Sequence, residues 1–166
     1  IGLIITDFFA SICFALLWAW EVIMAAATVG FRALAACLIC GLNYRSLIPP
    51  MPYWCGAIFG LSFIALTILA AVGCIYFAAY LRQLMRSFAR FNHNAMASAS
   101  GRPVLPPVPT YPQLPAKMRR TLRQFALVSL AAFAVCFVLG MIVSMLSAHA
   151  LGFWHAWGWF GYTGLN

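Results

Sequence analysis

The chain has 166 residues, of which 65% are hydrophobic and only 7% are charged. A soluble domain usually carries about a quarter charged residues to cover its surface. This composition therefore excludes a water-soluble globule and indicates an integral membrane protein. Ten lysines and arginines against two acids give a formal net charge of +8. In a membrane protein such an excess belongs to cytoplasmic loops that face anionic lipid, so we expect no nucleic acid partner.

Residues 1–42 are almost entirely apolar. We predict one membrane span over residues 3–28, a break near Gly30, and a short helix over residues 31–42. That helix is too short to cross the bilayer, so it would be interfacial or re-entrant. The alternative is a hairpin of two short legs that turns near Glu21. We prefer the single crossing because the stretch AWEVIMAAAT has no Gly, Pro, Asn or Asp to form that turn.

Two further spans are predicted over residues 55–80 and 124–149, which are uncharged. Each exceeds the roughly 20 residues that a helix needs to cross the hydrocarbon core. Both must be helical, because an isolated strand would leave backbone groups unpaired in lipid. Residues 43–54 form a proline-bearing loop before the first of them, and the aromatic residues of 150–166 are typical of an interfacial belt. The predicted fold is an all-α integral membrane protein with three transmembrane helices and a short extra helix.

Residues 81–123 form a basic connection that holds eight of the ten basic residues. The positive-inside rule places this connection in the cytoplasm. It follows that residues 43–54 and the C-terminus lie outside and the N-terminus inside, in a multi-pass protein of the cell membrane.

The basic side chains of the connection are candidate binding groups for anionic lipid headgroups. Three of them recur every fourth residue and so form one stripe on a helix that leaves the membrane. A basic residue near the bilayer surface contributes about 1 kcal/mol to such binding. The simpler interpretation is that they only fix the topology. The candidate set is Arg82, Arg86, Arg90, Lys117, Arg119, Arg120 and Arg123.

Residues 103–115 place a proline at every third position. That period matches polyproline II, which has about three residues per turn. We predict a stiff spacer between the two basic helix ends. Within it, PQLPAK (residues 112–117) fits a pattern that proline-recognition domains bind, so partner recognition is the alternative.

Glu21 and Arg32 are a candidate intramembrane polar site, because charged groups within a bilayer are costly and mark pathways or buried pairs. In the simpler interpretation both lie near the membrane interfaces. Small residues offer a second kind of site, because they let helix backbones approach closely. We expect them to pack the second and third spans against each other, with self-association as the alternative. They are Gly56, Gly60, Gly140, Ser144 and Ala148.

No arrangement of residues suggests catalysis. The two acids both lie in the first third of the chain, and the sequence contains no glycine-rich nucleotide loop. An enzyme would therefore have almost no general acids or bases. We expect no enzymatic activity, no cofactor and no metal.

The run from Gly41 to Asn94, followed much later by FWHAWGWF, resembles the membrane portion of bacterial HAAS-domain proteins. In that family a small cytoplasmic helical domain precedes a hydrophobic bundle, often encoded beside a PadR-type regulator. The resemblance implies a bacterial regulatory or envelope-stress protein and supplies no catalytic residues. Since the sequence begins at Ile1 rather than Met, we expect a processed chain or one that lacks its N-terminal part.

Two functions are consistent with these features. The first is a non-enzymatic membrane module, either the anchor of a regulatory or signalling protein or an accessory subunit of a membrane complex. Such a module implies a protein partner or self-association within the membrane. The second is a small transporter or channel subunit that acts as an oligomer and uses Glu21.

Overall fold

The protein consists of three long α-helices, seen here in a computed structural model that describes residues 2–42 and 51–149. They are α1 (Gly2–Cys40), α2 (Tyr53–Ala99) and α3 (Ala116–Ser147). Each is long and apolar enough to cross a membrane, and no strand occurs among the described residues. The prediction of an all-α protein is confirmed for the described residues, together with three helices long and apolar enough to span a membrane.

The helix ends follow from local chemistry. Gly41 and Gly101 adopt positive φ angles of 66° and 67°, a conformation that glycine reaches without a Cβ clash. After α2, the Arg102 amide donates to the Ala97 carbonyl at 2.9 Å, which closes a Schellman motif around Gly101. α3 begins directly after Pro115, whose carbonyl accepts the Arg119 amide at 3.0 Å.

The predicted break near Gly30 is wrong. α1 continues through Gly30 to Cys40, so residues 31–40 form the end of α1 rather than a separate short helix. One glycine costs a helix only about 1 kcal/mol relative to alanine. That cost is too small to open backbone hydrogen bonds in an apolar stretch, where no water replaces them.

α1 packs through one narrow seam. Its less exposed positions recur at alternating intervals of three and four residues, which is the heptad pattern of about 3.5 residues that antiparallel helix pairs use. The seam consists of Leu3, Asp7, Ala10, Phe14, Leu17, Glu21, Met24, Thr28, Phe31, Ala35 and Leu38. Both acids of the chain therefore lie on the packed side of α1.

α3 repeats this pattern with smaller side chains. Its seam runs through Leu122, Ala126, Ser129, Phe133, Cys136, Gly140 and Val143. Small residues in such a seam let neighbouring helices approach closely.

The contacts divide the chain into two units. The basic unit comprises Ile1–Ala26 and Ala71–Leu122, and the glycine unit comprises Ala27–Ala70 and Arg123–Asn166. The predicted outer loop lies mostly within residues 43–50 and the aromatic belt within residues 150–166. Both predictions fall outside the described residues.

Candidate functional site

In the basic unit, the proline-rich segment lies along one face of α2. We call residues 103–115 the proline strap. The Gln83 side-chain amide donates to the Pro109 carbonyl at 2.6 Å. Asn94 bonds the strap twice: its amide donates to the Leu105 carbonyl at 2.8 Å, and its oxygen accepts the Leu105 amide at 3.1 Å. The strap is therefore attached to α2 at two points.

The chemistry of the strap explains this attachment. Proline has no N–H group, so a proline-rich segment makes few hydrogen bonds of its own and leaves its carbonyls open to donors from water or from a neighbouring helix. α2 supplies these donors from Gln83, Asn94 and Arg90, the last of which reaches the Pro106 carbonyl at 3.5 Å. Gln83 is 7% exposed, so its bond to the strap satisfies a buried amide.

The opposite face of α2 contacts α1 within the same unit. Three pairs join the helices in antiparallel order: Asp7 with Asn92, Phe14 with Phe88, and Trp18 with Met85. The Asn92 amide donates to the Asp7 carboxylate. The two phenylalanine rings meet edge to face with centroids 5.7 Å apart. The indole N–H of Trp18 donates to the Met85 sulfur at 3.3 Å.

The predicted headgroup-binding residues lie at the surface. Arg82 and Arg86 are exposed, whereas Arg90 is half-buried by its contact with the strap. The second cluster occupies the first turns of α3, and all its members are exposed: Lys117, Arg119, Arg120 and Arg123. In the basic unit the Tyr76 hydroxyl donates to the Arg119 carbonyl at 3.3 Å, which joins the start of α3 to α2.

Among the described residues, the basic unit contains cavities, two of which differ in character. One of about 450 Å³ lies at the end of α2 beside the start of the strap, with His93, Met96 and Arg102 in its wall. The other, of about 310 Å³, is an uncharged groove between α1 and α2, lined among others by Cys13 and Phe91.

In the glycine unit, the two glycines of α2 face α1. A Cβ atom on Gly60 would lie 2.6 Å from Ile39 Cγ1 and 3.2 Å from the Ala35 carbonyl oxygen. One on Gly56 would lie 3.5 Å from the Leu38 carbonyl oxygen. These glycines therefore permit close approach of α1, not of the third span as we expected.

Gly140 of α3 faces α2. A Cβ atom there would lie 3.0 Å from the ring of Phe59. The Cys55 thiol donates to the Gly140 carbonyl at 3.6 Å and also bonds the half-buried Ser144. Ala148 follows the last residue of α3 and is exposed, so it takes no part in this contact.

The structure does not join Glu21 to Arg32. Glu21 is 9% exposed in the seam of α1, whereas Arg32 is exposed. Within residues 2–42 and 51–149, neither side chain makes an ion pair. The same part of the chain holds no group of three or more His, Cys, Asp or Glu side chains suited to a metal ion.

No protein-family model, curated protein or solved structure matches this chain. The resemblance to HAAS-domain proteins therefore stays a prediction.

The polar residues that organise the basic unit are not evident as functional residues in the sequence. Gln83, Asn92 and Asn94 are uncharged and lie within a stretch dominated by arginines. Charge and hydropathy patterns therefore do not distinguish them from ordinary surface residues. The sequence nevertheless contains a usable signal. Gln83, Arg90 and Asn94 fall on one helix face at intervals of seven and four, shortly before a segment in which six prolines have no N–H group.

Proposed function

We propose that this protein is a non-enzymatic membrane module that holds a fixed basic surface on the cytoplasmic side. It serves as the anchor of a regulatory or signalling protein or as an accessory subunit of a membrane complex. The observation that carries the proposal is the attachment of the proline strap to α2 through Gln83 and Asn94. A connection that only links two spans does not require these hydrogen bonds. A connection that presents a fixed surface requires them to hold its shape.

The distribution of polar groups also supports a structural role. Three of the four buried polar side chains in residues 2–42 and 51–149 bond within the protein, Glu21 being the fourth. Gln83 donates to the strap, Ser62 to the Phe133 carbonyl at 3.4 Å, and Ser129 to the Phe125 carbonyl at 2.5 Å. Groups used in this way stabilise packing and are not available for acid–base chemistry.

Anionic lipids are the first proposed ligand. Arg82 and Arg86 are exposed, as are the four cations at the start of α3. At about 1 kcal/mol per residue near a membrane surface, six such charges suffice for preferential contact with anionic headgroups.

The test is the state of the full chain in native membranes. After mild solubilisation, we expect it to migrate in an assembly with a defined partner chain at fixed stoichiometry or with itself. A chain that runs as a monomer without a partner, before and after cross-linking in the membrane, would contradict the proposal.

A second candidate is a small transporter or channel subunit that acts as an oligomer. The burial of Glu21 in the α1 seam favours it, since a carboxylate without an ion-pair partner in the described part of the chain suits a transported cation. Glu21→Gln should then abolish the flux of the transported cation in vesicles that contain the purified protein. Unchanged flux, with normal expression of the variant, would remove this candidate.

A further inference from the structure

The turn after α2 forms a cavity from a short piece of chain. Gly101, with its positive φ angle, turns the chain at the end of the helix. Asn94 then holds Leu105 through two hydrogen bonds, so the strap starts by running back along α2. The cavity of about 450 Å³ is lined by both segments. All of its lining residues fall within residues 93–105, so one helix end and one turn set its shape.

The wall of this cavity has an apolar part and a polar part. Met96, Pro103 and Leu105 belong to the apolar part, and His93 and Arg102 belong to the polar part. Sites for small molecules usually measure about 300–1,000 Å³ and combine apolar surface with a few polar groups. A ligand that fills this cavity therefore has an apolar body as well as a polar end.

The His93 and Arg102 side chains have donors to spare. Within residues 2–42 and 51–149, neither side chain makes a hydrogen bond or an ion pair. The Ser100 hydroxyl, in contrast, donates to the Met96 and Ala97 carbonyls at 2.9 and 3.1 Å. Carbonyls at a helix end disfavour an anion, and here these bonds occupy two of them. The cavity thus offers N–H donors to a ligand.

The charge of the surrounding unit favours an anion. The basic unit holds seven lysines and arginines against two acids. One of these acids, Asp7, is engaged by the Asn92 amide. An excess of positive charge raises the local concentration of anions and opposes the entry of a metal cation. The sulfur of Met96 and the imidazole of His93 therefore serve better as wall and donor than as metal ligands.

We propose that this cavity binds the phosphate group of a phosphomonoester, with Arg102 and His93 as donors and the apolar wall against the body of the ligand. A guanidinium group binds two phosphate oxygens through parallel N–H groups, and the imidazole N–H supplies a further donor. A phosphomonoester carries a charge of about −1.5 to −2 near neutral pH, which exceeds that of a carboxylate. The ligand is a soluble organic phosphate or the headgroup of a phosphatidic acid. The site goes beyond the proposed membrane module and does not depend on its orientation.

The experiment titrates the purified full chain in a non-ionic detergent by isothermal calorimetry. Phenyl phosphate represents the soluble source, and dioctanoyl phosphatidic acid in mixed micelles represents the lipid source. Dioctanoyl phosphatidylcholine, a phosphodiester, is the blank for the lipid. The test variants are Arg102→Gln and His93→Ala. The matched control is Arg82→Gln, since Arg82 is an exposed arginine of α2 outside the cavity wall.

We expect the unaltered chain to bind at least one of the two probes, and the probe that binds identifies the source of the phosphate. Arg102→Gln should raise the Kd about tenfold and His93→Ala about fivefold, the losses expected for a charged and a neutral hydrogen bond. Arg82→Gln should leave the Kd unchanged. Met96→Gln should weaken binding of the same probe but not of inorganic phosphate, which does not reach the apolar wall.

Two results would overturn the proposal. One is that neither probe binds. The other is that Arg102→Gln and Arg82→Gln change the Kd equally, because the phosphate would then respond only to net charge. Far-UV circular dichroism verifies that each variant keeps its helix content. The assembly state of the chain is measured separately, so a failure here leaves the membrane module standing.

Discussion

At the level of single residues, Gly60 shows how closely α1 and α2 approach. The position of its missing Cβ lies 2.6 Å from Ile39 Cγ1, well inside van der Waals contact, and 3.2 Å from the Ala35 carbonyl oxygen. Because the second neighbour is backbone, a side-chain rotation at Ile39 cannot make room by itself. The contact between the helices therefore depends on glycine at this position.

Gly60→Ala should destabilise the protein by about 1–3 kcal/mol, the usual cost of overpacking a tight contact. Gly73→Ala is the matched control in the same helix, since nothing lies within 4 Å of its Cβ position. That variant should gain up to about 1 kcal/mol from helix propensity. Denaturant unfolding in mild detergent measures both. Equal effects of the two substitutions would contradict the close approach at Gly60.

Gln83 connects the residue level to the strap. Its buried amide donates to Pro109 in the middle of the strap, whereas the Leu105 amide near the start of the strap donates to Asn94. If the strap is attached as one element, the loss of either attachment should weaken the other.

Gln83→Ala should therefore accelerate hydrogen exchange at the Leu105 amide. The loss of one hydrogen bond of about 1 kcal/mol corresponds to roughly a fivefold change. Gln124→Ala, at an exposed glutamine of α3, should leave that exchange rate unaltered. An unaltered rate in Gln83→Ala as well would mean that the two attachments act independently.

At the level of elements, the sequence predicts the three helices because the length of an apolar stretch and its charge can be read from neighbouring residues alone. The basic extension of α2 was also predictable, since Arg82, Arg86 and Arg90 recur at helical spacing. The attachment of the strap was not, because it depends on which uncharged side chains face it. The period of three predicts the conformation of the strap but not its partner.

The register of α1 illustrates a different limit. α1 is apolar almost all round, so its sequence does not select which part of the helix lies in the bilayer. The predicted span of residues 3–28 stays a prediction. What the structure adds is the pairing of Asp7 with Asn92 of α2. A long-range contact of this kind, rather than hydropathy, sets the register of α1 against α2.

At the level of the whole molecule, the proposed orientation depends on the side of the membrane that holds the basic connection. The sequence contains a single lysine, because nine of its ten basic residues are arginine. That lysine, Lys117, is exposed at the start of α3. It is a natural reporter of topology, since a reagent that acylates amines does not modify arginine.

A membrane-impermeant amine reagent should modify Lys117 in sealed inverted vesicles and leave it unmodified in right-side-out vesicles. The positive-inside rule requires this result, because translocating a segment with eight basic residues is opposed. Peptide mass spectrometry separates the Lys117 adduct from that at the N-terminal amine, and Lys117→Arg should abolish the former while keeping the charge. Labelling in right-side-out vesicles alone would reverse the orientation. The arginines of α2 and the strap would then face outward, and the proposed cytoplasmic basic surface would be wrong.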